Sequence, residues 1–196
     1  MRTYTLLIIT VLSIIKSSCA FAQPGSKPLT KRVMLKTNVL SFIAQRPTFS
    51  VEKALSKTIS AEVSFVQGTF NRVLFTDHYD YNGFLLRTKK YLVPLKARSV
   101  NPYAAMYIGT LRRHIQTKGW TNSNGYFGYP SRNFSSNSVR GGGSVGVCFF
   151  SNSHIVIDHQ VSVGYGRYLK LNKQDPNTYA AGYPDVQVWL SIGYCF

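Results

Sequence analysis

The sequence has few acidic residues, few cysteines and no long apolar run. It carries 7 Asp and Glu against 23 Lys and Arg, which gives a formal net charge of +16. Such a balance predicts anionic partners, namely nucleic acid, phospholipid or lipopolysaccharide. Three cysteines are too few for a disulfide scaffold of this size. The apolar segments are shorter than the roughly 20 residues of a membrane-spanning helix. This excludes a helical membrane protein and leaves two classes, a soluble fold or a membrane β-barrel.

The N-terminus has the composition of a secretory signal peptide. Arg2 precedes the short apolar run Leu6–Ile15, and Ala20-Phe21-Ala22 has the small-x-small pattern of a signal-peptidase site. A lipoprotein beginning at Cys19 is the alternative. A lipobox requires an apolar residue three places before the cysteine, and Lys16 occupies that place. We therefore predict export, which argues against a nucleic-acid partner. Zinc-ligand spacings, basic helices and RNA-binding motifs are also absent from the sequence.

Beyond Arg32 the apolar residues recur with a period of two rather than 3.6, which is typical of β-strands. The predicted strands are Val33–Ile43, Phe49–Leu55, Ile59–Val66, Phe84–Val93, Tyr103–Arg112, Val139–Phe149, Ile155–Arg167 and Asp185–Phe196. Short connections mostly alternate with longer ones rich in Asn, Ser, Gly and Tyr. Eight strands with this alternation predict an all-β, eight-stranded, antiparallel up-and-down transmembrane β-barrel.

The composition of the two strand faces separates a membrane barrel from a soluble one. The polar face is rich in Gly, Ser and Gln, which suit the filled interior of a small barrel better than a water-exposed surface. Aromatic residues near the strand ends fit two interfacial girdles. The predicted girdle residues are Phe49, Phe65, Phe84, Tyr165 and Tyr168 at one level, and Tyr91, Phe149, Tyr194 and Phe196 at the other.

These features predict three parts of the chain. They are a signal peptide over residues 1–22, a short periplasmic segment over 23–31, and an outer-membrane barrel over 32–196. The expected location is the outer membrane of a Gram-negative bacterium, with both termini periplasmic.

Several segments resemble a known family. VMLKTNVLSF, FSVEKALSKTISAEVSF and SNSHIVIDHQVSVGYG resemble uncharacterised small outer-membrane proteins of Bacteroides-like bacteria, a domain of unknown function whose barrel is similar to those of OmpA and OmpX. Lys36-x-Asn38 and Glu52 followed by Ala54–Lys57 look like hallmarks of that family. The terminal alternation resembles the signal read by the barrel assembly machinery, which is the partner it implies during insertion. Its residues are Leu190, Ile192, Tyr194 and Phe196.

The interior face of the predicted barrel carries charged residues. Glu52 and Glu62 lie opposite each other across the Ser56-Lys57 turn, and two adjacent carboxylates require cations. The predicted interior charge set is Lys36, Glu52, Glu62, Asp158 and Arg140, with Lys89, Arg87 and Arg112 as further candidates. We interpret this set as a structural plug, and a proton or ion path is the alternative.

A catalytic alternative would be an enzyme that modifies lipid A or phospholipid. It needs a nucleophile, a His and an orienting acid, and Ser162, His159 and Asp158 or His114 are the candidates. Adjacent strand residues point to opposite faces, so Asp158 and His159 cannot form a dyad. We therefore predict no catalytic residue, no metal site and no cofactor.

The outer loops are the expected functional surface, because loops on a rigid scaffold carry recognition. The predicted recognition residues in the loop 115–137 are Trp120, Tyr126, Phe127, Tyr129 and Arg132. The predicted function is a structural or surface-interaction role of a monomer. Its expected partners are outer-membrane lipids, including lipopolysaccharide, and an extracellular glycan or protein. Basic residues near the rim, such as Arg72 and Arg113, are expected to neutralise lipopolysaccharide phosphates.

A ligandless mobile loop, a lipid-modifying enzyme and a narrow channel remain open as alternatives. The sequence also leaves open whether Cys148 and Cys195 are bonded.

Overall fold

The structure is a computed structural model that describes residues 33–73, 76–121, 128–129, 131–151, 154–173 and 181–196. The predicted signal peptide and periplasmic segment lie outside these residues. The strands are β1 (Val33–Asn38), β2 (Phe49–Ala54), β3 (Ile59–Val73), β4 (Thr76–Tyr91), β5 (Val100–Thr117), β6 (Trp120–Thr121), β7 (Gly128–Tyr129), β8 (Arg132–Ser151), β9 (Ile155–Lys173) and β10 (Gly182–Cys195). A short 3-10 helix spans Val39–Phe42. Within the described residues, no helix has the length and hydropathy needed to cross a membrane.

Eight of the strands close into one barrel in the order β1-β10-β9-β8-β5-β4-β3-β2, and every neighbouring pair is antiparallel. The two-residue strands β6 and β7 pair separately between β5 and β8. The predicted all-β, eight-stranded, up-and-down barrel is therefore confirmed. We call the end with residues 39–48 and the β3–β4 connection the upper end, and the end with both described termini the lower end.

Six of the barrel strands are longer than predicted. β3 and β4 pair from Ile59 and Lys90 up to Val73 and Thr76, so most of the predicted loop 67–83 is strand. Aromatic side chains near the upper end of this hairpin stack on one another, with ring centroids 5.5 to 6.3 Å apart. In this upper part of β3 and β4 the outward-facing residues are polar. The alternation of apolar and polar residues that marks the lower part of the strands therefore ends here, although the backbone pairing continues.

β1 is shorter than predicted. It ends at Asn38, whose side-chain oxygen accepts a hydrogen bond from the Leu40 amide at 3.2 Å and caps the 3-10 helix. The β1–β10 pairing accordingly stops at Asn38 and Ser191, although β10 continues up to Gly182. The wall of the barrel is therefore lower along β1 and β2 than along the other strands.

The polarity of the barrel is inverted relative to a water-soluble protein. Large apolar side chains face outward, including Met106 with 76% of its surface exposed and Val186 with 66%. Charged side chains lie inside, and Lys89, Arg87 and Glu52 are each 0% exposed. Polar side chains buried without partners are costly, so the interior must be an extensively bonded network.

Most of the predicted girdle residues are exposed on the outer surface: Phe49, Phe65, Phe84, Tyr165, Tyr194 and Phe196. The placement of Tyr91 in the lower girdle was wrong. Tyr91 points into the barrel, is 1% exposed, and donates a hydrogen bond from its hydroxyl to Glu52 Oε1 at 2.7 Å. Its neighbours Lys89 and Lys90 lie on opposite faces of β4. Because the two lysines are consecutive, the sequence does not indicate which of them points into the barrel.

Candidate functional site

The lower half of the barrel holds an interior charge cluster of Lys36, Arg87, Lys89, Glu52, Glu62 and Asp158, all buried. Lys36 Nζ lies 2.6 Å from Glu52 Oε2 and 2.5 Å from Glu62 Oε2. It also lies 2.7 Å from Asp158 Oδ2. One ammonium group from β1 thus joins carboxylates of β2, β3 and β9 across the barrel.

Lys89 contacts the same three oxygen atoms. Its Nζ lies 2.9 Å from Glu52 Oε2 and 2.9 Å from Glu62 Oε2, and 2.6 Å from Asp158 Oδ2. Three carboxylates arranged in this way could hold a metal ion, since their oxygens lie within 4.8 Å of one another. The two ammonium groups already supply the positive charge between them, so the geometry favours an all-protein cluster.

Arg87 balances the third carboxylate charge. Its Nη1 donates to Glu62 Oε1 at 2.7 Å and to Ser64 Oγ at 2.8 Å. Its guanidinium carbon lies 4.1 Å from the centroid of the Trp189 ring. Three cations thus face three carboxylates, and the cluster is electrically balanced.

Hydroxyl groups satisfy the remaining carboxylate oxygens. Tyr91 donates to Glu52, as does Ser60 Oγ, and Tyr103 donates to Asp158 Oδ1 at 2.7 Å. The network spans the interior from β1 to β9, and the side chains fill the lumen at this level as expected for eight strands.

Local sequence explains how the cluster forms. The tight turn after β2 sets Glu52 directly opposite Glu62, and the next strand places Arg87 opposite Glu62. Lys36 lies opposite Gly193. A Cβ atom at Gly193 would come within 2.7 Å of Lys36 Cγ, so glycine there leaves room for the lysine side chain to cross the interior.

Arg140 does not join the interior charge cluster. It points inward from β8, but its Nη1 lies 3.3 Å from Asp185 Oδ1. The other Asp185 oxygen accepts hydrogen bonds from Tyr107 Oη at 2.8 Å and from Gln187 Nε2 at 2.7 Å. The interior charges therefore divide into a lower cluster and a separate upper pair, which the sequence did not indicate.

The faces of two neighbouring arginines also differ from the prediction. Arg112, expected inside, is exposed on the outer face. Arg113, expected at the rim, points inward with 9% of its surface exposed. Its guanidinium carbon lies 3.5 Å from the centroid of the Tyr183 ring and 5.7 Å from that of Tyr168.

A cavity of about 370 Å³ lies in the upper half, above the interior charge cluster. Arg113, Arg140 and Asp185 line it together with tyrosines of β4 and β10 and with Trp189. The lower half of the barrel is thus filled by bonded charge, while the upper half contains a space lined by two arginines.

Comparison with protein families gives a match over residues 5–182 to the family described as protein of unknown function (DUF3575). The chain belongs to the DUF3575 family. Comparison with curated proteins and with solved structures gives no match. The family supplies no activity, so the function of this DUF3575 chain has to be argued from its own geometry.

The residues of the catalytic alternative lie apart in this DUF3575 barrel. Asp158 is buried in the interior charge cluster, whereas His159 is exposed on the outer face between Val147 and Leu190. The Asp158 carboxylate is held by Lys36, Lys89 and Tyr103 and does not orient His159.

The structure describes the backbone of three of the five predicted loop residues. Tyr126 and Phe127 lie outside the described residues. Trp120 and Tyr129 are paired in register across β6 and β7, and Arg132 begins β8. Ligand binding by this set stays a prediction. At the lower end, Cys148 and Cys195 are both 0% exposed and are present as thiols.

Proposed function

We propose that this DUF3575 chain spans the outer membrane of a Gram-negative bacterium as a plugged, non-enzymatic barrel. Its role is structural or surface-interacting, through the loops at its upper end. The observation that carries the proposal is the inverted polarity, with apolar side chains outside and a balanced charge cluster inside. In water, an apolar surface encircling the whole barrel would exceed the patches that soluble monomers expose.

The height of the apolar surface supports a bilayer location. On β9 the outer face carries exposed large apolar residues between Ile155 and Tyr165, interrupted by His159. Arg167 follows on the same face, before the exposed Leu169. Ten residues span about 33 Å along a strand, which becomes about 25 Å normal to the membrane at a tilt of ~40°. This is the thickness of the apolar band of outer-membrane barrels.

The interior charge cluster supports a plug rather than a channel. Lys36 on β1 and Lys89 on β4 both extend into the lumen and meet at the Asp158 carboxylate of β9, two and three strands away. An ion could pass only if these contacts opened, and removing one partner of such a cluster is expensive. A planar-bilayer recording should therefore show no steady conductance. A lipid A mass spectrum of a deletion strain should be unchanged, and an altered spectrum would favour the enzyme alternative.

The proposal predicts the behaviour of the chain in cells and on gels. The protein should fractionate with outer membranes, and it should migrate differently before and after boiling, because a closed hydrogen-bonded barrel resists detergent. Soluble fractionation with a single gel position would refute the membrane assignment.

A matched pair of variants locates the membrane band. Val161 is 39% exposed on the outer face of β9 and lies close to the middle of the stretch Ile155–Tyr165, so Val161→Lys places a charge against lipid near the bilayer midplane at a cost of about 2–4 kcal/mol. Asn137 is exposed near the upper rim, where Asn137→Lys should cost at most about 1 kcal/mol. Equal folding yields of the two variants in lipid vesicles would contradict the proposed band.

A further inference from the structure

The upper cavity is bounded on one side by the upper part of β10, which pairs with β9 along one edge only. The β1–β10 pairing ends at Ser191, and the β2–β3 pairing ends at Phe65, but β10 continues upward to Gly182 and β3 to Val73. Among the described residues, no strand pairs with the β1-facing edge of β10 above Ser191. In the part of the chain that the structure describes, the barrel wall therefore has a gap between β10 and β3.

The segment between β1 and β2 closes only the lower part of this gap. The Asn38 side chain accepts a hydrogen bond from the Leu190 amide at 3.1 Å. The Ala44 carbonyl accepts one from the Thr69 amide at 2.8 Å, and the Pro47 carbonyl accepts one from Gln67 Nε2 at 3.2 Å. Above Leu190, the β1-facing edge of β10 has no such hydrogen bond among the described residues, so the gap remains open along this edge.

The cavity reaches this free strand edge. Its lining includes every residue from Pro184 to Trp189, among them Val186 and Val188. The side chains of these two valines point outward and are 66% and 51% exposed, so the cavity contacts the strand itself and not only the inward face. The gap opens beside the apolar outer surface, where Ile43 is 72% exposed on the facing segment.

The charge inside the cavity is positive. Arg140 is paired with Asp185, whereas Arg113 forms no ion pair with any carboxylate in the described part of the chain. Both arginines are at least nine-tenths buried, and the Nε atom of each has no hydrogen-bond partner among the described residues. A buried positive charge without a counterion is costly, and an arginine guanidinium binds phosphate oxygens well.

We propose that the upper cavity binds the phosphate headgroup of a bilayer lipid, which reaches it sideways through the gap between β10 and β3. The acyl chains then lie along the exposed valines of β10 and the apolar residues of the 39–48 segment. The inference rests on the proposed membrane location, because a gap beside the apolar band gives access from lipid. A cavity of about 370 Å³ falls within the size range of small-molecule sites.

The test uses the full mature chain in neutral detergent micelles, after its gel shift on boiling has shown that the barrel is folded. Native mass spectrometry counts bound phosphatidic acid, with phosphatidylcholine as the zwitterionic comparison. Trp189 lines the cavity, and because the chain has two tryptophans, Trp120→Phe makes Trp189 the sole fluorescent reporter. We expect one saturable phosphatidic acid per chain and a change in Trp189 emission on binding.

Two neighbouring arginines provide the matched control. Arg113→Gln should weaken phosphatidic acid binding at least tenfold, whereas Arg112→Gln removes the same charge from the outer face and should change it less than twofold. Arg113→Lys keeps the positive charge and should retain most of the binding. Equal losses in the two Gln variants would show adsorption to surface charge and would overturn the inference.

A water-soluble phosphate tests whether the ligand enters the cavity sideways from the bilayer. Glycerol 3-phosphate carries the same phosphate without acyl chains and should bind far more weakly than phosphatidic acid. Equal affinity of the two would show a site filled from solution and would overturn the lipid assignment. A folded, membrane-inserted barrel without saturable lipid binding would refute this inference alone. A chain that does not enter membranes would refute the proposed function and this inference together.

Discussion

Removal of Lys36 should destabilise the barrel strongly. Its ammonium group touches three buried carboxylates, of Glu52, Glu62 and Asp158, at 2.5 to 2.7 Å. Lys36→Met keeps a side chain of similar length but leaves three carboxylates with only two cations, Lys89 and Arg87. The variant thus has one uncompensated negative charge at the centre of the lower half.

The expected loss of stability follows from that uncompensated charge. Breaking a buried charged pair by removing one partner costs about 3–5 kcal/mol, because the other charge stays buried. Here Lys89 still contacts all three oxygens and offsets part of the repulsion between them. We therefore expect a loss near the lower end of that range, about 3 kcal/mol.

Urea unfolding of the barrel in lipid vesicles, followed by tryptophan emission and by the gel shift on boiling, measures this loss. Lys57→Met is the control, since Lys57 lies exposed in the β2–β3 turn and should change the unfolding free energy by less than about 0.5 kcal/mol. The double variant Lys36→Met/Glu52→Gln restores charge balance and should recover part of the loss. Equal unfolding midpoints for the two single Met variants would refute the argument.

Three further predictions concern other parts of the barrel. Hydrogen bonds from Thr69 and then His78 lower the pKa of Asp80 below its ordinary value of 3.8, so this carboxylate contributes stability above that pH which is lost on acidification through its folded-state pKa. Thr69→Val should raise the NMR titration midpoint of Asp80, and an unchanged midpoint would contradict the assignment. Gly164→Ala should lower the free energy of urea unfolding by about 1–3 kcal/mol, since the added Cβ would collide with a backbone carbonyl of β8. At Gly143, by comparison, an added Cβ would meet its nearest atom at 3.9 Å. A maleimide should label the buried thiols of Cys148 and Cys195 only as fast as the barrel unfolds, and rapid labelling of the folded barrel would contradict their burial.

The lower half of the barrel could be predicted from the sequence because its strands alternate cleanly and one turn fixes their register. The short connection between Ala54 and Ile59, which contains Ser56 and Lys57, sets Glu52 opposite Glu62. A period of two then fixes the inward face of every residue in both strands. Lys36 follows from the same alternation in β1, so three members of the interior charge cluster could be placed without any tertiary information.

The upper half could not be predicted in this way. Arg112 and Arg113 are consecutive arginines, and the sequence gives no reason to prefer either as the inward residue. Their faces are set by pairing with β8, where Arg112 lies opposite Asn137 and Arg113 opposite Ser136. The sequence does not indicate the partner of Arg140 either, because Asp185 lies on β10, with β9 between the two strands, and the curvature of the sheet brings their inward side chains together.

The division of the barrel into two halves follows from the place where β1 stops. β1 and β2 have six residues each, whereas β8 has 20 and β9 has 19, so the wall is complete only in the lower half. Below, charges must pair across a closed lumen. Above, the gap leaves a cavity in which Arg113 lacks a carboxylate partner among the described residues. Gln187 links the two halves, accepting from Arg87 at 3.2 Å and donating to Asp185 at 2.7 Å. The two halves are therefore joined through the neutral amide of Gln187, and among the described residues no ion pair connects the interior charge cluster with the Arg140–Asp185 pair.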